Sequence, residues 1–250
     1  WERTIDILRA FNIERLIELH DIRGDLHVHS NWTDCVASIE EMAEAAQARG
    51  YAYLALTDHS RRVTVADGLT PERLMRQIGE IDDLNAKLRG FTILKGVEVD
   101  ILADGTLDVP DKILARLDIA VASVHYKFDL PRDAQTERVI RAMANPHVSI
   151  IGHPPGQLIP DRERADLDMD AVYAAAAEHD VALELNANPR RLDLDDVEDP
   201  VHGLMVTLKR GVGVSGRVEL IERAAGTPRL QARMAFLLEP LGFDRQSLQA

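Results

Sequence analysis

The sequence predicts an α/β protein of seven strands alternating with helices, as a parallel sheet or a β/α barrel. Three observations predict it. Short β-rich runs alternate with amphipathic helical patterns along most of the chain. The strand candidates are nearly continuous in apolar residues, as strands of a parallel sheet buried on both faces are. Histidines and carboxylates recur at the ends of successive strand candidates, and strand ends converge on one site in a β/α barrel.

The elements follow in order. Asp25 to His29 (DLHVH) is the first strand candidate. Ser38-Ile39-Glu40-Glu41 fits a capping box, with Met42, Ala45 and Ala46 on the apolar face behind it and Gly50 as the stop. Tyr51 to Thr57 is the second strand. Thr70-Pro71 opens the next helix, with Thr as N-cap and Pro in the first turn. Its Leu74, Ile78, Ile81, Leu84 and Leu88 recur at steps of three and four, which makes one helix face. Five more strands are expected at Phe91 to Val99, Leu117 to Ser123, Val148 to Gly152, Val181 to Leu185 and Val212 to Ser215, with helices such as Ala134 to Ala144 and Asp170 to Glu178 between them. The organisation expected is a helical, linker-like lead-in over residues 1–22 and one domain over 23–250. The lead-in has an amphipathic face of Ile5, Leu8, Ile13, Leu16 and Ile17.

Composition narrows the function. The 250 residues carry a formal net charge of −13, which argues against an independent grip on long DNA, because such binding comes from Lys and Arg on phosphates. The single cysteine, Cys35, excludes a disulfide framework and a cysteine-based zinc module; it reads as a small, partly buried residue. No run approaches the roughly 20 apolar residues of a membrane helix, and the first residues lack the order of a signal peptide, so a cytoplasmic protein is the default expectation.

The strand ends carry the chemistry. His27 and His29 stand two apart on a strand, which turns both imidazoles to one face. Asp34 follows in the next loop. The second strand ends in Thr57-Asp58-His59, the third in Gly96-Val97-Glu98-Val99-Asp100, the fourth in Ser123-Val124-His125, the fifth in Gly152-His153-Pro154 and the sixth in Glu184-Leu185-Asn186-Ala187-Asn188. A lone histidine at a strand end is usually structural. Five histidines and a glutamate over five successive strands instead form a donor set suited to Zn²⁺, Mn²⁺ or Fe, and more donors than one ion needs, so two or three ions are expected. His20, His147, His179 and His202 read as structural.

The motifs DLHVHS, TDHS, GVEVDIL, SVHYKF, GHP and LELNANPRRLDLD, spread from about Arg23 to Asp196, resemble the PHP (polymerase and histidinol phosphatase) domain, and within it the PHP domain of X-family DNA polymerases. The resemblance implies the PHP fold, a distorted seven-stranded β/α (TIM-like) barrel, with a trinuclear Mn²⁺ or Zn²⁺ site and metal-dependent phosphoesterase activity. Within the X-family polymerases it implies 3′–5′ exonuclease and 3′-end processing of DNA. Carried over by motif, His27, His29, Asp34, His59, Glu98, His125 and His153 are the implied metal ligands, with Glu98 bridging two ions and His27, His29, Asp34 and Glu98 at the catalytic centre. Arg190 and Arg191 fall where that family has basic or polar residues near substrate; they read either as a phosphate clamp or as a solvated charge pair. Lys127 is a further phosphate candidate, and Asn186 and Asn188 read as hydrogen-bonding partners that shape the site.

The resemblance fails in one place. The family ends its seventh strand in an Asp-x-His pair, and this chain has Val212-Gly213-Val214-Ser215-Gly216-Arg217-Val218-Glu219-Leu220 there, an atypical segment from about residue 211. Three functions follow as expectations. One is a phosphoesterase acting on DNA 3′ ends beside a polymerase core, the chain then being part of a longer protein. The second is a free-standing phosphatase for small phosphates such as histidinol phosphate or nucleotides. The third is a metal-binding module without activity.

Overall fold

In a computed structural model, residues 22–185 and Arg191 are described, together with the backbone of strands 214–217 and 236–238. The expected lead-in over 1–22 falls almost wholly outside the described residues, as do Arg190, Asn186, Asn188 and most of the segment beyond 211.

The chain runs β1 (Gly24–Val28), α1 (Ile39–Ala48), β2 (Tyr53–Leu56), α2 (Pro71–Asn85), β3 (Thr92–Asp100), a one-turn α3 (Asp111–Leu114), β4 (Ile119–Ser123), α4 (Arg132–Met143), β5 (Ile150–Ile151), α5 (Met169–Glu178), β6 (Ala182–Leu185), β7 (Val214–Arg217) and β8 (Phe236–Leu238). Strands β1 to β6 pair in sequence order, every pair parallel, which gives a curled half-barrel of six strands. The expected seventh strand is present but runs antiparallel to β6, and β7 then pairs antiparallel with β8. Either direction completes the hydrogen-bonding ladder, so a strand signal in the sequence leaves the direction open and only the register shows that β7 runs back along β6. Alternating periodicity reports a strand and is blind to its direction.

The local signals act as expected. The Ser38 side chain accepts from Glu41 N–H, and the Glu41 carboxylate accepts in return from Ser38 N–H at 2.8 Å, so both arms of the capping box are made. Gly50 follows that helix with φ of 79°, a conformation glycine adopts without a steric penalty. Thr70 Oγ1 accepts from Arg73 N–H at the start of α2. Leu74, Ile78 and Ile81 are buried from that helix, with Leu84 and Leu88 packed against the core from the side. Cys35 is half-buried against the cluster of Val28, Ile39, Leu54 and Leu56.

Strand register sorts the side chains into two faces. Val97, Val99, Ala120 and Ala122 face the helices and join α2, α4 and α5 in one apolar cluster. The alternate residues face the concave side. Ala55, Ile119, Val121, Ile150 and Ala182 make its apolar floor. One step further along each strand the same face turns polar: Glu98 pairs in register with Val121, Asp100 pairs with Ser123, and Glu184 lies two residues beyond Ala182. Thr57, Glu98, Asp100, Ser123 and Glu184 are all buried. The site is therefore a second storey built on the apolar floor by the two-residue period alone.

Two loops of this storey are tied from behind by Arg138 of α4, a buried arginine. It donates to the carbonyls of Ile101, Leu102 and Tyr126, and its guanidinium carbon lies 4.8 Å from the centroid of the Tyr126 ring.

Candidate metal centre

Glu98 stands at the middle of the site. Its Oε2 lies 3.3 Å from His27 Nε2, 3.4 Å from His29 Nε2 and 2.8 Å from His59 Nδ1. Its Oε1 lies 3.3 Å from His125 Nε2 and 3.0 Å from His153 Nε2. The five imidazoles form a closed circuit around it, with centroid spacings of 5.2 Å (His27–His29), 4.4 Å (His29–His59), 5.1 Å (His59–His125), 5.4 Å (His125–His153) and 6.3 Å (His153–His27). The order around the circuit is the order of the strands. All five histidines expected from the sequence are thus brought together, with Glu98, and Asp34 reaches His29 and His59 at 2.7 and 3.4 Å.

Local structure explains how each ring is aimed. The register of β1 is irregular between Asp25 and Val28, and there Leu26 meets the apolar floor while His27 reaches Glu98. His59 is carried past the end of β2 by a bridge to Glu98, with Ser60 N–H donating to Glu98 O and Glu98 N–H to Asp58 O. His153 is left-handed at φ 31°, a conformation disfavoured outside glycine. Its N–H donates to Glu184 Oε2 at 2.6 Å, which holds it there. The preceding Gly152 allows this approach: a Cβ on it would stand 2.4 Å from Ser123 Oγ and 3.5 Å from Glu184 Oε2.

Three carboxylates set the faces of three rings. His27 Nδ1 lies 3.1 Å from Glu184 Oε1, His29 Nδ1 lies 2.7 Å from Asp34 Oδ1, and His125 Nδ1 lies 2.9 Å from Asp100 Oδ1. A proton on each Nδ1, donated to its carboxylate, leaves the Nε2 lone pair aimed toward Glu98; this is how ligating imidazoles are oriented. Asp100 and Glu184 were not singled out by the sequence reading. The signal was available, since each lies on the concave face two residues beyond a residue of that face, Glu98 and Ala182 respectively.

Asp58 was also missed. It is fully buried and accepts from Ser30 N–H (2.8 Å), Ser30 O–H (2.6 Å), Thr33 O–H (2.5 Å) and Gln77 Nε2 (2.6 Å). It ties the loop carrying Asp34 to α2. Of the basic candidates, Lys127 is exposed and its backbone is left-handed at φ 53°. The charge of Arg191 acts on both His153 and Glu184, which sets it beside the circuit.

The donor set fits metal ions. Three groups, His27/His29/Glu98, His29/Asp34/His59 and His59/Glu98/His125, each offer ligand atoms within 4.8 Å of one another. His59 Nδ1 is only 2.8 Å from Glu98 Oε2 yet makes no aligned hydrogen bond among the described residues. Close donors whose lone pairs share a point, not a proton, are what a cation accounts for.

Electrostatics point the same way. Burial pushes the Glu98 carboxyl up, but His59, His27 and His125 outweigh it and hold it well below the carboxylate range. Burial likewise opposes charge on His29, yet its hydrogen bonds to Asp34 and Glu98 raise it to about 9. Asp34 is lowered in turn, burial being overcome by His29 and His59. Burial and then the Arg191 charge push His153 down to about 3, so it is a neutral donor across the physiological range. In the metal-free chain the raised His29 gives stability that is complete below about 6.5 and lost as pH rises through about 9. Metal binding has the opposite trend, because the ion must displace that proton. Mn²⁺ affinity is therefore expected to climb with pH between about 6.5 and 9, by up to about tenfold per unit for each proton released. Titration calorimetry in two buffers of different ionisation enthalpy checks it, and an affinity flat across that range refutes it.

Residues 25–188 match the family described as PHP domain. The chain is 54% identical over 179 residues to the DNA polymerase/3′-5′ exonuclease PolX of Bacillus subtilis, covering 72% of this chain and 31% of that protein. It is 35% identical over 167 residues to a probable phosphatase of Thermoanaerobacter sp., covering 65% of this chain and 63% of that protein. The chain thus spans about a third of the first relative and under two thirds of the second. Among solved structures, histidinol phosphate phosphatase from Lactococcus lactis, complexed with zinc, L-histidinol and phosphate, aligns with a TM-score of 0.46 and 19% identity over 64% of this chain and 72% of that one. With its histidine motifs falling inside the matched segment, the chain belongs to the PHP domain family.

Proposed function

We propose that this chain is a metal-dependent phosphoesterase that hydrolyses a phosphate ester at the Glu98 site. The observation that carries the reading is the circuit of five imidazoles, with Asp34, around one buried carboxylate. In this reading His27, His29, Asp34, His59, Glu98, His125 and His153 hold two or three Mn²⁺ or Zn²⁺ ions, with Glu98 shared between ions. Bound there, such ions supply Lewis-acid stabilisation of phosphate oxygens and a nucleophilic water at neutral pH. The chain's own residues do the rest. Glu184, Asp34 and Asp100 fix the tautomers of His27, His29 and His125. His153, uncharged, adds a donor without adding a proton to be displaced. Arg191 contributes positive charge beside the circuit. The Asp-x-His pair missing from the sequence leaves seven ligand residues, enough for two ions.

The preferred substrate is a DNA 3′ end, as phosphodiester or terminal phosphate, with a polymerase core as partner in a cytoplasmic setting. The 54% identity to a protein named for polymerase and 3′–5′ exonuclease activity supports it. The net charge of −13 fits a domain to which a partner delivers the DNA. The second reading, a phosphatase for small phosphates, is favoured by relatives named probable phosphatases at 35 and 36% identity. No described helix is long and apolar enough to cross a membrane. Hydrolysis of 3′-labelled oligonucleotides, histidinol phosphate and p-nitrophenyl phosphate with added Mn²⁺ separates the readings. Faster turnover of oligonucleotide supports the first, faster turnover of the small esters the second. Bound metal with no turnover of any of the three overturns both.

A further inference from the structure

We infer that Arg62 is the arm that grips the substrate's phosphate at the mouth of the metal centre. The site is rich in negative charge: Glu98, Asp34, Asp100 and Glu184 converge on it, so a phosphate entering it needs cations besides those held at the floor. Arg62 is placed to supply one. It follows the TDHS loop, and its backbone N–H donates to Asp108 Oδ2 at 3.1 Å. Its guanidinium carbon lies 3.7 Å from the centroid of the Tyr126 ring, and Nε sits 3.4 Å from Asp100 Oδ2. Tyr126 follows His125 in the chain, and Asp100 bonds His125 Nδ1, so both residues that hold Arg62 are tied to His125.

The manner of support matters. Stacking on an aromatic ring occupies the face of a guanidinium and leaves its in-plane N–H groups available. Its ion pair to Asp100 is made through Nε, neither Nη group has a protein partner among the described residues, and the side chain is 46% exposed. A planar fork held at its face and at its inner edge, with its outer edge open, suits bidentate capture of two phosphate oxygens. The arm loses little rotational freedom on binding, because the stacking has already fixed it. Lys127, the other exposed cation near His125, has no such fixture: its backbone carbonyl accepts from Gln135 Nε2, and no described side chain orients its ammonium.

The assignment rests on the phosphoesterase reading for the identity of the substrate, and its test is separable from that reading. Inorganic phosphate is titrated calorimetrically into the Mn²⁺-loaded full chain and its Arg62→Ala and Arg62→Lys variants, with Mn²⁺ affinity measured for each. Turnover of p-nitrophenyl phosphate is followed in the same preparations. Arg62→Ala is expected to weaken phosphate binding at least tenfold at unchanged Mn²⁺ affinity, with Arg62→Lys restoring part of the loss. Phosphate affinity that stays within twofold of the parent overturns the proposal. So does a loss of phosphate binding that merely follows a loss of Mn²⁺ affinity, since Arg62 would then act through Asp100 on His125. A parent chain that binds no phosphate overturns it as well. A parent that binds phosphate through Arg62 but hydrolyses nothing leaves the arm standing and removes the phosphoesterase reading.

Discussion

Glu98→Ala is expected to strip the site of at least one bound Mn²⁺ and to lower phosphoester turnover by roughly a thousandfold or more, about 4 kcal/mol of lost transition-state stabilisation. The expectation comes from geometry. One carboxylate lies within 3.4 Å of an imidazole nitrogen from each of five histidines, so no other side chain is shared by so much of the site. Two of the three candidate ligand groups contain it. The group made of His29, Asp34 and His59 does not, so a residual ion is expected there. Removing Glu98 also takes away the charge that raises His59 and His125, which titrate lower in the metal-free variant as a result. Elemental analysis after Mn²⁺ saturation, run beside turnover, checks the result. Glu98→Gln, nearly the same shape, controls for packing. Wild-type metal content with wild-type turnover in Glu98→Ala would sink the site assignment.

Asp58→Ala carries the largest expected cost in stability, about 3–5 kcal/mol. The carboxylate is fully buried and takes four hydrogen bonds from Ser30, Thr33 and Gln77. Truncation leaves those donors facing a small cavity with nothing to accept them, and an unmade buried hydrogen bond costs more than a made one contributes. The damage has a place as well as a size. Ser30 and Thr33 flank the turn that carries Asp34, so the ligand group that includes Asp34 should lose Mn²⁺ affinity even in molecules that remain folded. Urea unfolding read by fluorescence, with Asp58→Asn recovering part of the loss, is the check. A loss under about 1 kcal/mol would mean that water replaces the carboxylate freely.

Much of this was legible in the sequence, and the reasons are particular. Ser38 and Glu41 announced a helix because a capping box is a local exchange of hydrogen bonds, complete within four residues. The clustering of the five histidines was legible because strand order and strand ends are enough to gather them, whatever the angles between strands. The carboxylates behind them were harder to see. Glu184 meets His27 across 157 residues of chain, and Asp100 meets His125 across 25, so no spacing rule points from one to the other. Only the two-residue register of β3 and β6, followed beyond Glu98 and Ala182, would have placed them. The direction of β7 was illegible for a different reason. Alternation is the same read upward or downward, and parallel or antiparallel pairing is decided by how the chain returns.

Arg138 holds the carbonyls after β3 and the carbonyl of Tyr126 after β4 with a single guanidinium, and it reaches them from the helix side of the sheet. The spacing between Glu98 and His125 is therefore gauged from outside the concave face. Drift in α4, by a substitution at Val139 or Ala142 that re-seats the helix, would reach the histidine cluster as a change of calibration, with every residue of the cluster intact. The histidine cluster thus has a spacing element on the far side of the sheet, where variation can adjust the distances within the cluster without altering any of its residues.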